Sequence, residues 1–270
     1  MPELPEVEIT RLGLASQLLG ASVSAVACRC PRLRYPLPPR LQQKLAGKTL
    51  LGIERRGKYL LFDFGTGRLL VHLGMSGSLR VHRAETPAGK HDHVDLAFGA
   101  AVLRLRDPRR FGAVLWLGPP PASHPLLTVL GLEPLGPEFH PAWLHERLRG
   151  KSTPIKLALM DSHLVVGIGN IYASESLFRA GIDPRTPAGK VSLARCRRLV
   201  PAVVATLQAA IEAGGSSLRD FVHTDGSAGY FQQQYFVYGR AGEPCRTCAA
   251  TVKGLRQGGR ATFYCPRCQR

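Results

Sequence analysis

Two places in this 270-residue chain carry residue types whose spacing could do chemistry. Four of its seven cysteines stand as Cys245-x-x-Cys248 and Cys265-x-x-Cys268, with sixteen residues between the pairs. Each pair fits a tight turn, and two such turns close four thiolates around one Zn(II), the sequence form of a zinc ribbon. Local disulfides or a redox Cys-x-x-Cys would instead require an oxidising compartment or a surrounding βαβ pattern. Cys28, Cys30 and Cys196 lack partner spacing and read as ordinary thiols. The second place is the amino terminus, Met1-Pro2-Glu3-Leu4-Pro5-Glu6. A small residue after the initiator methionine normally permits its removal, which would expose the secondary amine of Pro2. Attack by such an amine on a sugar carbon of aldehyde level gives an iminium that is charged without a proton, an electron sink for eliminations. An α-amino group titrates near pH ~8, so a useful fraction is nucleophilic at neutral pH. Glu3 stands beside it as proton donor or acceptor. If Met1 is retained, the prolines only stiffen a capped helix start, and the sequence leaves both readings open.

Charge narrows the partner. Lys plus Arg number 36 against 19 for Asp plus Glu, a net +17, which predicts a polyanionic partner. The last 31 residues hold seven basic groups and one acid, so much of that excess surrounds the cysteines. A hydrophobic content of 44% with 29 Gly and 21 Pro is that of a globular chain, and the length suits two domains with a small appendage. No apolar run approaches the ~18 residues of a membrane span, and glutamates stand where a signal peptide would carry positive charge. An intracellular protein is expected.

The elements that would position these residues follow from periodicity. Apolar spacing after Pro5 predicts a leading helix, with a short, free terminus before it. Between about 21 and 117 the period changes to two, with runs at 59–64, 68–73, 94–98 and 102–106 and glycine turns between them, the pattern of a β-sandwich or barrel. The proline-rich stretch from 118 to 141 resembles a linker or a boundary more than a core element. Thr153-Pro154 is expected to cap a helix with a first-turn proline, 164–169 to form a glycine-interrupted turn, and 171–180 to be helical up to Gly181. A longer helix runs from Ser192 to Gly214-Gly215, and Pro201 either marks a later start or bends it.

The motifs MPELPEVE, HLGMSGSLR at 72–80, KHDHVDL at 90–96, DPRRFG at 107–112, GIGNIYASE at 167–175 and the four-cysteine ribbon occur in one order over essentially the whole chain. This set resembles the bacterial formamidopyrimidine-DNA glycosylases. The resemblance implies an α+β chain: an amino-terminal β-sandwich domain with a leading helix at 1–133, a helix-two-turn-helix DNA-binding domain at 134–235, and a β-hairpin zinc finger at 236–270. It implies a bifunctional glycosylase and AP lyase that removes 8-oxoguanine and formamidopyrimidines from duplex DNA through a Pro2 Schiff base and β,δ-elimination. One structural Zn(II) and a monomer acting on double-stranded DNA in the cytoplasm, at the nucleoid, come with it.

By the same resemblance Pro2, Glu3, Lys58 and Arg260 are catalytic, and Glu6 helps to organise the site unless it only favours the first helical turn. Lys58 is expected to open a strand. Met75, Arg109 and Phe111 resemble the group that fills the gap left by an everted nucleotide, and their types suit it: a thioether and a ring can wedge between bases, and a guanidinium can bond the unpaired base. Core burial is the ordinary alternative for Met75 and Phe111. His91, Arg109, Lys151, Lys156 and Asn170 match DNA-contacting positions, with Asn170 also able to act as a helix cap. Arg260, after Gly258-Gly259, is placed to stabilise a leaving phosphate. Cys245, Cys248, Cys265 and Cys268 are the metal ligands. The 216–235 segment resembles a loop that closes over the everted base, and together with Leu4 and the 72–76 motif it favours the purine enzyme over the related endonuclease VIII. A zinc-ribbon DNA-binding protein without chemistry is the rival of another class.

Overall fold

The computed structural model describes residues 1–119, 124–216 and 231–270. The chain forms two compact units: Met1–Thr128 with the segment that follows Glu212, and Val129–Glu212 with Phe231–Arg270. Residues 217–230 of the expected base-closing loop lie outside the described residues.

The first unit opens with α1 (Leu4–Leu18). Its start is not free, as the sequence suggested: Pro2 and Glu3 are buried, and Glu3 is the N-cap. Then come β1 (Ala25–Cys28), α2 (Leu41–Leu45), β2 (Gly52–Arg56), β3 (Tyr59–Asp63), β4 (Arg68–His72), β5 (Ser78–Arg83), β6 (Asp92–Phe98), β7 (Ala101–Arg106) and β8 (Ala113–Leu117). They form two antiparallel four-stranded sheets, ordered β1-β6-β7-β5 and β2-β3-β4-β8. Phe62, Leu69, Val71 and Val114 of one sheet share a core with Leu79, Val94, Leu96, Leu103 and Leu105 of the other, and Val7, Leu14 and Leu18 of α1 join it. That is the expected sandwich. Each such side chain contributes on the order of 1.5–3 kcal/mol by leaving water. The second sheet's other face is apolar too, where Leu61, Leu70 and Leu117 cluster with Leu127 near its edge, so β3 and β4 read as apolar runs rather than clean alternation.

The prolines are used differently from expectation. Pro125 opens α3 (Pro125–Thr128) and Pro141 the first turn of α4 (Pro141–Leu148), so the stretch expected as a linker or a boundary holds one short helix and leads into a second, and the division between the two units falls inside it. Proline lacks an amide hydrogen that the first turn would leave unpaired anyway. Pro154 is itself the N-cap of α5 (Ile155–Leu159), not its first turn, and its backbone bridges to Pro187. After the turn at 164–169, α6 (Asn170–Ala180) ends at Gly181, whose φ of 67° suits glycine. α7 (Leu193–Glu212) carries Pro201 inside it, on an exposed position, while Leu199, Val203 and Leu207 are buried. This excludes a later start. β9 (Lys253–Gln257) and β10 (Arg260–Tyr264) form the carboxy-terminal hairpin. No helix among the described residues is long and apolar enough to cross a membrane.

Candidate functional site

At the amino terminus a reciprocal capping box fixes the first turn. The Glu3 N–H donates to Glu6 Oε2 at 2.8 Å, and the Glu3 carboxylate accepts from the Glu6 amide. The fully buried Glu6 carboxylate also accepts the Ser216 amide on Oε1 at 3.0 Å. Glu6 therefore does more than complement a helix dipole: it ties the start of the chain to the segment after α7. Pro2 is buried with Met1 in place.

Lys58 does not open a strand. It is the second residue of a two-residue turn between β2 and β3, because Gly57 takes φ 57° and Arg56 pairs with Tyr59. Two residues that the sequence reading passed over anchor this turn. Arg55 donates to Glu8 Oε2 of α1 at 2.8 Å and to the Gly57 carbonyl at 3.0 Å. Burial raises the Glu8 pKa, but hydrogen bonds from Arg11 and Arg55 outweigh it and hold the carboxyl below its ordinary value. Across the turn lies His72, with the Tyr59 ring 4.8 Å from its own. Burial, with the charges of Lys58 and Arg34, lowers its pKa to about 4. The imidazole is thus neutral at physiological pH, and its Nδ1 accepts the Gly74 amide at 3.0 Å.

Gly74 begins the turn that carries Met75. Its φ is 62°, and a Cβ there would lie 2.5 Å from the backbone of Phe111 and Gly112, so glycine is required for the two loops to meet. Met75 is 39% exposed and Phe111 46% exposed, which rules out core burial for both. The Arg109 guanidinium stacks 4.7 Å from the Phe111 ring centre. Beneath them is fully buried Asp107, which the sequence reading missed although Asp-Pro is a turn signal. Its Oδ1 accepts from Ser76 Oγ at 3.0 Å and its Oδ2 from the Gly112 amide at 2.7 Å. Half-buried His91 joins the group through its carbonyl, which accepts the Asp107 amide at 3.0 Å.

In the second unit, Gly169 is the N-cap of α6 and Asn170 its first residue, so Asn170 does not cap. Its Oδ1 instead accepts from Lys156 Nζ at 2.6 Å. Lys156 is not the surface cation expected at a phosphate: it is 0% exposed, and its ammonium also donates to the Ala261 carbonyl at 2.8 Å and Thr262 Oγ1 at 2.7 Å. It joins α5 and the start of α6 to β10, and it leaves the Asn170 amide nitrogen as the donor. Lys151 is exposed, in a turn whose carbonyl accepts the Gly189 amide at 2.8 Å. Arg260 is exposed at the start of β10, after Gly258 and Gly259 with φ 52° and 75°. Glu175, also unforeseen, is buried in α6 and accepts the amides of Phe236, Val237 and Tyr238 at 2.9, 3.0 and 2.8 Å. Burial raises its pKa despite these three donors. Its effect is to fix the chain that enters the ribbon.

The four ribbon sulfurs all lie within 4.8 Å of one another, with Cys245 to Cys268 at 3.9 Å and Cys248 to Cys265 at 3.4 Å. Zn–S bonds of about 2.3 Å in a tetrahedron require S–S separations of about 3.8 Å, so the cluster fits zinc. Burial and the neighbouring thiols raise the pKa of Cys265 and Cys268, whereas at Cys245 the Thr247 and Cys248 amides outweigh burial and bring it down to about 7. By contrast, burial pushes Cys196 up to about 11, as for an inert structural thiol.

Comparison with known proteins gives this geometry its context. Residues 1–114 match the formamidopyrimidine-DNA glycosylase N-terminal domain, 130–222 the H2TH domain of the same proteins, and 242–270 the zinc finger found in FPG and IleRS. The formamidopyrimidine-DNA glycosylase of Aromatoleum aromaticum is 62% identical over 270 residues, 100% of each chain. Among solved structures, the MutM (Fpg) protein of Thermus thermophilus superposes with TM-score 0.89 at 39% identity, over 99% of this chain and 98% of that one. The Lactococcus lactis FPG mutant G226P, in complex with a Fapy-dG containing DNA, does so with TM-score 0.91 at 34% identity over 100% of each. The zinc-finger match and the four-sulfur cluster together assign one structural zinc ion to Cys245, Cys248, Cys265 and Cys268. With all three domains matched and relatives aligned from end to end, the chain belongs to the formamidopyrimidine-DNA glycosylase family.

Proposed function

We propose that this chain is a bifunctional DNA glycosylase and AP lyase of base excision repair that removes 8-oxoguanine and formamidopyrimidines from duplex DNA. The observation that carries the reading is the exposed cluster of Met75, Arg109 and Phe111 over buried Asp107. A folded protein exposes a thioether and a phenyl ring on one pair of rigid turns at a cost in solvation, and insertion into a base stack repays it. Base eversion then brings the sugar carbon within reach of a protein nucleophile.

The nucleophile is the amine of Pro2 once Met1 is removed. Its nitrogen bonds to C1′ as the glycosidic bond breaks, and the departing base takes a proton. The sugar ring opens to an iminium, which acidifies C2′–H. Loss of that proton expels the 3′ phosphate, and a second loss, from C4′, expels the 5′ phosphate. Water then releases the sugar remnant from Pro2, leaving a one-nucleotide gap with phosphates at both ends. Glu3 takes the proton that the Pro2 nitrogen loses on bonding to C1′ and gives it to the ring oxygen as the sugar opens, Lys58 donates a proton during catalysis, and Arg260 stabilises the departing phosphate electrostatically. Guanidinium is too weak an acid to serve as a proton donor. His91, Arg109, Lys151 and Asn170 bind phosphates or the unpaired base, with Lys156 holding Asn170. Zinc supplies no chemistry and fixes the hairpin that presents Arg260. Residues 1–133 serve as the catalytic domain, 134–235 as the helix-two-turn-helix domain and 236–270 as the zinc finger, and the protein works as a monomer in the cytoplasm, at the nucleoid.

Incubation with a labelled duplex carrying one 8-oxoguanine opposite cytosine tests the activity. The expected product is a strand broken at the lesion with phosphate on both flanks. An intact strand that alkali also fails to break contradicts the reading.

A further inference from the structure

The carboxylate of Asp107 is fully buried, yet its hydrogen bonds reach residues that adjoin exposed side chains: Met75, Arg109 and Phe111. Oδ1 accepts from Ser76 Oγ, next to Met75, at 3.0 Å, and Oδ2 accepts from the amide of Gly112, next to Phe111, at 2.7 Å. The same Ser76 oxygen accepts the Arg109 amide at 3.3 Å. The Asp107 backbone is also held: its amide donates to the His91 carbonyl at 3.0 Å, and its own carbonyl accepts the Arg110 amide at 3.2 Å and faces His93 Nε2 at 3.0 Å. Arg110 sits at φ 55°, a left-handed conformation that a non-glycine residue keeps only when its surroundings impose it.

We propose that Asp107 is a positioning residue that locks the Met75 turn to the Arg109–Phe111 loop, so that the three side chains enter the duplex as one rigid wedge. This rests on the reading that they fill the gap left by an everted base. A mobile wedge would lose conformational freedom on insertion, and a locked one loses it on folding instead. The chemistry of the junction calls for a carboxylate. Both oxygens must accept, and Ser76 must donate to one of them to keep its lone pairs for the Arg109 amide. An asparagine would offer N–H to Ser76 and compete with that amide.

The test compares Asp107→Ala, Asp107→Asn and Ser76→Ala on two DNAs. One is a duplex with 8-oxoguanine opposite cytosine, which demands eversion and gap filling. The other is a single strand with a preformed abasic site, which demands neither. Excision from the duplex is expected to fall by about 10- to 100-fold in Asp107→Ala, the scale of a reacting group misplaced by about an ångström, and by less in the other two variants. Cleavage of the single strand is expected to stay within about threefold of wild type in each. Equal losses on both DNAs would assign Asp107 to folding alone and overturn the proposal, as would an unchanged duplex rate. Ser76→Ala removes only a hydroxyl, so its ratio decides the matter if Asp107→Ala does not fold. A wild-type protein inert on the duplex would refute the functional reading itself. If Met75→Ala and Phe111→Ala slow the duplex reaction while the Asp107 and Ser76 variants do not, this inference alone falls.

Discussion

The loops at 74–77 and 107–112 and the hairpin that carries Arg260 both turn side chains outward, but different devices hold them. In the first unit a buried anion, Asp107, gathers a hydroxyl and an amide over a sandwich core that is already complete. In the second, a buried cation, Lys156, gathers three acceptors near one end of the hairpin while four cysteines gather a metal near the other. The apolar cluster behind the ribbon is small: Phe178, Val237 and Val252 with two of the cysteines. The loops of the sandwich can therefore rely on a core that folds without them, whereas the hairpin depends on its metal and its ammonium.

Metal removal should separate the two units most sharply. Binding of structural zinc is worth on the order of 10–16 kcal/mol in ribbon-sized units. Chelation should therefore raise amide hydrogen exchange through Lys253–Gln257 and Arg260–Tyr264 to near that of an unfolded chain, while β3, β4, β6 and β7 keep their protection. Equal loss in both units would contradict the separation. Next in size is Lys156→Met, which leaves the Asn170, Ala261 and Thr262 oxygens without their buried donor. A loss of about 3 kcal/mol in denaturant unfolding is expected, together with weaker DNA binding. An unchanged midpoint would mean that the ammonium holds nothing. Arg260→Ala should retain base excision and slow the second elimination by about 10²-fold, roughly 2.7 kcal/mol, as read from the ratio of β to δ products on a denaturing gel. Full δ product would remove Arg260 from the mechanism.

The smallest effect concerns acid. The folded pKa of His72 is depressed to about 4, so the unfolded chain binds the proton more readily. Stability from this group is complete above about pH 6.5 and is lost as pH falls through the folded value, about 2 kcal/mol being gone at pH 5. His72→Asn keeps an acceptor for the Gly74 amide without a titrating ring. It should unfold with less pH dependence between 7 and 5 than wild type, by urea titration at each pH. Identical slopes would show that His72 does not sense its burial.

Legibility followed sequence separation. The ribbon was readable because each thiol pair is local, and the sandwich because period-two runs and glycine turns are local too. The contacts that organise the site are not. Glu6 meets Ser216 across 210 residues, and Lys156 meets Thr262 across 106. A lysine in a chain of net +17 looks like one more surface cation until its burial is seen. Asp107 meets Ser76 across 31 residues, and only the absence of a Cβ at Gly74 lets their loops touch. Lys58 was displaced by one position because Gly57 takes the left-handed place in the turn. Pro125 and Pro141 misled in another way: a cluster of prolines suggests a linker, and here those two begin helices.

Pro2 as nucleophile is tested by borohydride trapping of the full-length, zinc-loaded protein on a duplex with one 8-oxoguanine opposite cytosine, followed by mass mapping of the cross-linked peptide. A reduced covalent adduct on the nitrogen of Pro2 is expected, in a protein that has lost Met1. An adduct on a lysine, or none from protein that still binds the duplex and cleaves nothing, would contradict that role.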